Sequence, residues 1–297
     1  MRTTRVGIYL WLLAFLMGAV VGCAWSLSRD PFALPASGPA VVHRALAPAA
    51  ARDLPFADLI PLPVDRLLKV IDGLPGGDAL TPLQRAGLAT VMATRGVEPV
   101  IRNNIANRLT GMTHPDPDLW RRFLAMYQDP AEDEVWRDYS VQFLALSLPA
   151  ADDRDAALAA LTAIAEQDRG TIGTTALLHL VRLANDGTVL RPATLAALAV
   201  ARLQDPATPD PSRHVALALI GQEGWREHLP LVRAALDQHP GPDAARGALY
   251  TLGVLGDGSD AAVIRAWTAA THPAVAQAAE VAVQRLAART GAGGVQP

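Results

Sequence analysis

Residues 239–273 read HPGPDAARGALYTLGVLGDGSDAAVIRAWTAATHP, and this stretch decides the fold. Its two His-Pro landmarks, His239-Pro240 and His272-Pro273, stand 33 residues apart. The stretch before it runs through Ala216, Leu217, Trp225-Arg226, Leu229, Val232 and Leu236. It is answered in order by Ala248, Leu249, Asp257, Val263 and Trp267. A period of this length, filled each time by two amphipathic helices, predicts an α-solenoid. Because the His-Pro pairs recur with the repeat, they read as marks of helix termination rather than as ligands.

Working outward toward the N-terminus, the same helical spacing continues. Leu67, Ile71 and Leu74 share a face and are stopped by Pro75-Gly76-Gly77. Thr81-Pro82 reads as an N-cap with proline at the first helical position, opening a helix with Leu88, Val91 and Met92 inside. A third helix is predicted over Glu98 to Met112, with Ile101, Ile105 and Leu109 as its stripe. Leu119, Phe123 and Met126 mark the next, and Trp136, Tyr139, Phe143 and Leu146 mark its partner. Asp152 and Asp153 open a helix carrying Leu158, Leu161 and Ile164, followed by one near Thr171 to Ala184. Leu195 to Leu203 and Val215 to Ile220 form a further pair. The expectation is all-α: a solenoid of about six helix pairs over residues 64–290, closed by a tail over 291–297.

Composition agrees with packed helices, since Ala and Leu dominate and aromatics make up 5%. The formal net charge of −3 leaves no basic stripe for nucleic acid. Lys69 is the one lysine, and Cys23 the one cysteine, which excludes an internal disulfide and a cysteine-built zinc site.

Residues 1–27 are a membrane segment. Arg2 and Arg5 precede an uncharged apolar run from Val6 to Leu27, long enough to cross a hydrocarbon core of about 30 Å. The positive-inside rule then places the rest outside the cytoplasm. Val20-Val21-Gly22-Cys23 resembles a bacterial lipobox, which would make Cys23 the lipidated residue of a cleaved lipoprotein. The run past Cys23 through Trp25 equally suits an uncleaved anchor. Residues 28–63, with seven prolines and no sustained period, read as a Pro/Ala-rich linker.

The segment Pro242 to Asp257 resembles the second helix of a bacterial HEAT-like repeat, with its turn Asp243, Arg246 three residues on, and a closing Leu255-Gly256-Asp257. Asp210 with Arg213 and Asp133 with Arg137 resemble weaker copies, and Gln277 replaces the arginine in the last, as suits a cap. The resemblance implies scaffolding or partner binding more than catalysis.

Catalytic signatures are missing: there is no Gly-x-Ser-x-Gly, no His-Glu-x-x-His and no phosphate loop. Gly256 to Asp260 resembles the start of a calcium loop but lacks the distal Glu, and reads as a turn. Arg102, Asn103, Asn104, Asn107 and Arg108 crowd one helix despite the poor helix propensity of Asn. They are candidate binding residues for carbonyls, carboxylates or hydroxyls, or else cap neighbouring helices. Trp120 and Trp225, each followed by Arg, are candidate interface anchors. The expected function is that of a membrane-tethered, extracytoplasmic, non-enzymatic scaffold for a protein partner, with no cofactor or metal. Two rivals are an envelope enzyme, needing Asp152 or Asp153 beside Asp133 or Glu134 in a pocket, and a glycan-binding module, needing Trp120 or Trp225 exposed beside the Asn-rich helix.

Overall fold

The computed structural model describes residues 62–187, 191–238 and 240–291. Among the described residues there are thirteen α-helices and no strand. The first helices are α1 (Val64–Asp72), α2 (Pro82–Ala93), α3 (Pro99–Thr110) and α4 (Leu119–Gln128). Next come α5 (Glu134–Ser147), α6 (Arg154–Gln167), α7 (Thr171–Asn185), α8 (Pro192–Gln204) and α9 (Asp210–Glu223). The array closes with α10 (Leu229–Asp237), α11 (Pro242–Leu255), α12 (Ala261–Ala266) and α13 (Pro273–Gly291).

Local chemistry sets the starts. Thr81 forms a capping box with Gln84, the two backbone-to-side-chain bonds being 2.9 and 3.2 Å, and Pro82 supplies the first helical residue. Asp133 accepts from the amides of Val135 and Trp136, and Asp153 from that of Ala156, so both carboxylates cap the helices that follow them. Pro273 likewise opens α13, so the second His-Pro marks a start, where termination was expected. His239 lies outside the described residues. The Gly256–Asp260 stretch is a short 3-10 turn in which Asp257 and Asp260 cap each other's backbone while Arg233 pairs with both, a turn as the sequence suggested.

Helices α2 to α13 pack as consecutive pairs, and within each pair the second helix also touches the second helix of the next: α3 to α5, α5 to α7, α7 to α9, α9 to α11 and α11 to α13. One continuous apolar core runs between the two rows from Leu67 to Leu286. Each fully buried Leu or Ile in it contributes about 2 kcal/mol of transfer free energy. At the C-terminal end the second helices approach closely. A Cβ on Gly247 would lie 2.7 Å from the His214 carbonyl oxygen, and one on Gly253 would lie 2.8 Å from the Ala282 Cα.

Several tertiary hydrogen bonds span 33 to 35 residues, within a full range of 10 to 38. Arg108 reaches the Pro75 carbonyl 33 residues back, and Thr113 reaches Asp78 at 35. Arg95 pairs with Asp129 at 34, the Asp243 amide donates to Asp210 at 33, and Thr251 donates to the Leu217 carbonyl at 34. These contacts are compatible with a helical repeat whose period is that legible in residues 239–273.

Arginine has a structural task here. Guanidinium groups donate to carbonyls at the C-terminal ends of helices: Arg102 to Met92, Arg137 to Tyr127, Arg202 to Ala165 and Asp168, Arg226 to Leu255. A cation meets the negative end of the helix dipole there, and a planar fork satisfies carbonyls that have no intrahelical partner.

Candidate functional site

The exposed faces of α3, α5 and α7 are related by the same repeat. On this side α3 carries Val100, Asn104 and Asn107 exposed and Asn103 half-buried; α5 carries Val135 and Leu146 exposed, with Asp138, Tyr139 and Gln142 half-buried between them. Val100 and Val135, Asn104 and Tyr139, and Asn107 and Gln142 are each 35 residues apart, so they occupy equivalent positions on helices that touch. Helix α7 continues the row with Thr171, Thr175, Leu178 and Asn185, and the Thr175 hydroxyl bonds the Asp138 carboxylate. These positions form a ridge of amides, hydroxyls and exposed aliphatic side chains.

Of the predicted site residues, three lie on this ridge. Asn104 and Asn107 are exposed, Asn103 is half-buried, and Asn107 Nδ2 donates back to the Asn103 carbonyl at 2.9 Å. Arg102 and Arg108 point elsewhere. Arg102 is 2% exposed and binds Glu132 through two bonds of 2.8 and 2.7 Å. Its Nε donates to the Met92 carbonyl at 2.7 Å, and its plane sits 4.3 Å from the Trp136 ring centroid. Hydrogen bonding from Arg102 holds the Glu132 carboxyl below its ordinary pKa. Arg108 donates to the Leu74 and Pro75 carbonyls at 3.1 and 2.9 Å, closing the C-terminal end of α1. Both arginines thus take the capping role that was the alternative to binding.

Trp120 and Trp225 are buried, at 5% and 8% exposure, so neither ring face is free to stack on a sugar. Trp120 belongs to a small cluster with Leu148 and Ala157, donates from Nε1 to Asp152 at 2.9 Å, and carries Arg121 at 4.5 Å over its ring. The glycan-binding reading lacks the exposed tryptophan it required. Cys23 and the apolar run over residues 6–27 lie outside the described residues. Within those described, no helix is long and apolar enough to cross a membrane.

The carboxylates proposed for catalysis have separate local duties. Asp152 is held by Trp120 and Arg121, which keep it below its ordinary pKa, while Asp153 and Asp133 are helix caps. Two shallow grooves, of about 320 and 270 Å³, lie beside Trp267 and beside Arg213, and neither contains any of these carboxylates. Among the described residues, no group of three or more His, Cys, Asp or Glu is placed to hold a metal ion.

Sequence reasoning missed the ridge residues Val100, Val135, Gln142 and Leu146. Leu146 was expected in the buried stripe of its helix and is instead 46% exposed, with Val135 at 51% and Val100 at 54%. The buried residues of α5 are Trp136, Ser140, Val141, Phe143, Leu144, Ala145 and Ser147. Aligning α3 on α5 at a 35-residue offset pairs Val100 with Val135 outside both stripes and Asn107 with Gln142, whereas Leu146 falls opposite Gly111 and is not signalled this way.

The chain matches no protein-family model, no curated protein and no solved structure. Its class therefore rests on the helices alone: an all-α protein of serially packed helix pairs, compatible with a helical repeat fold.

Proposed function

We propose that this protein is an α-solenoid of HEAT-like pairs, tethered to the outer side of a bacterial membrane by its N-terminal segment, that binds a protein partner without catalysing a reaction. The observation carrying this reading is the recurrence of tertiary hydrogen bonds at 33 to 35 residues, from Arg108 on Pro75 to Thr251 on Leu217. Such a ladder lets each pair contact only its neighbours and sets exposed side chains of successive second helices side by side, an extended surface suited to another protein. Of the residues weighed as catalytic, Asp133 and Asp153 are committed to capping and Asp152 to an ion pair, which favours binding over chemistry.

The test is site-specific photo-cross-linking in intact membranes, with the reactive residue at Asn104, Gln142 or Leu178 on the ridge, or at Val263 on α12. The ridge positions are expected to yield one common adduct that Val263 does not. Adducts from every position alike, or from none, would remove the scaffold reading. For the tether, Cys23→Ala is expected to abolish a lipid label and release the protein if the lipobox is used. Retention without a label assigns the anchor to the uncleaved helix.

A further inference from the structure

The ridge carries two independent features between α4 and α7. The first is a broken apolar strip, exposed among the described residues and interrupted by half-buried Asp138, Tyr139 and Gln142. Val135 and Leu146 are eleven residues apart, which in an α-helix places them within about 20° of one another and about 16 Å apart along the axis. Val100, at the position equivalent to Val135, widens the strip onto α3.

The second is charge. Between Leu119 and Gly170 the sequence has ten carboxylates against five arginines, a balance of −5 in a chain whose total is −3. Two of the ten carboxylates, Asp129 and Glu132, are paired by Arg95 and Arg102 from outside this stretch, and its five arginines have partners of their own. Arg121 binds Asp152, Arg122 binds Asp118, Arg169 binds Asp205, and Arg137 donates to the Tyr127 carbonyl. Glu134 stays exposed beside Val135, and Glu134 and Asp168 both act on Asp138 as like charges. Asp138 has one carboxylate oxygen with no hydrogen-bond partner, Thr175 serving the carboxylate from α7. At its N-terminal end the strip therefore meets Glu134, an exposed carboxylate with no salt bridge among the described residues, in a stretch of net negative charge.

Resting on the scaffold reading, we propose that the α3–α5–α7 ridge docks a cationic amphipathic helix of a partner protein, its apolar stripe on Val100, Val135 and Leu146 and its basic residues toward Glu134. A helix presents apolar residues at intervals of three, four and seven, and a stripe of that kind matches an aliphatic strip of this length. Opposite charge at the rim speeds encounter and fixes which way the helix lies. Charge complementarity selects a basic helix over an acidic one.

The experiment uses the full chain in zwitterionic nanodiscs and a fluorescent helical peptide built from Leu and Lys, with the same peptide carrying Glu in place of Lys as comparison. The Lys peptide is expected to bind and to weaken steeply as salt is raised, and the Glu peptide not to bind. Val135→Ser with Leu146→Ser, and separately Glu134→Lys, are each expected to lower affinity about tenfold, while Val263→Ser changes nothing. All four positions are exposed, and an unchanged helical circular dichroism signal confirms folding. Equal binding of both peptides, or wild-type affinity in the ridge variants, overturns the proposal. If photo-cross-links still form at Asn104 and Gln142 in membranes, that outcome removes the basic-helix partner and leaves the scaffold reading standing.

Discussion

Replacing Glu132 by Ala should unlock the N-terminal end of the array and leave the C-terminal end intact. Glu132 neutralises Arg102, whose side chain is 2% exposed against 5% for Glu132, and the guanidinium also joins Met92 at the end of α2, Met126 of α4 and Trp136 of α5. One cation thus ties two helix pairs together. Removing its carboxylate leaves a buried charge with only carbonyl, thioether and ring partners, a loss of about 3–5 kcal/mol. In a chain stabilised by nearest-neighbour interfaces, that loss is felt where the pair sits. Native-state hydrogen exchange should show amide protection in α2 and α3 reduced by about 3–5 kcal/mol, with α11 and α13 unchanged. Arg102→Met with Glu132→Leu removes both charges and should recover most of the loss, although the Met92 carbonyl then goes without its donor. A uniform loss across all helices would refute the local coupling, and a change below about 1 kcal/mol for Glu132→Ala would refute the buried pair.

Burial in α7 lowers the His179 pKa from 6.5 to about 4. The folded state therefore holds the neutral ring while the unfolded chain protonates first. Stability is full above pH 6.5 and falls as pH drops toward 4, by up to about 3 kcal/mol. Urea midpoints at pH 7.5 and 4.5 should show the fall in the wild type and a smaller one in His179→Leu. Burial raises the Asp138 pKa, the opposite sign for a carboxyl: stability contributed by its neutral form is full below the unfolded value and is lost as pH rises. Asp138→Asn is accordingly expected to raise the thermal midpoint at pH 7.5 and not at pH 3. Gly247→Ala forces a Cβ to within 2.7 Å of the His214 carbonyl oxygen and 3.0 Å of its Cα, both backbone atoms. It should cost about 1–3 kcal/mol by denaturant unfolding, while Gly258→Ala, which meets nothing within 4 Å, should be near neutral.

Much of the architecture could be read from local pattern. Thr81-Pro82, the acidic starts at Asp133 and Asp153, and the stripes of Leu67 and Ile71 or Phe123 and Met126 are short-range signals, each decided within about one helical turn. The same reading misplaced Leu146, because Trp136, Tyr139, Phe143 and Leu146 fit helical spacing as well as the true buried face does. Period alone leaves the centre of a wide apolar arc undetermined, and packing against α3, α4 and α7 chose it. The Asn-rich helix was divided in the same way. Its amides point outward with Val100, while its arginines turn inward to carbonyls and to Glu132.

By itself, the sequence determined the all-α class, most of the helix starts and the apolar N-terminal run, because each depends on spacing and on residue types near one another in the chain. Tertiary structure decided which charges are spent and which remain. Arg102 became a buried clasp, Trp120 and Trp225 became core, and Asp152 became the partner of Trp120 and Arg121, through contacts 10 to 32 residues apart for which no local pattern codes. Side chains that the sequence presents as equivalent are sorted by the helix that happens to lie opposite. The candidate docking face is what that sorting left exposed on α3, α5 and α7.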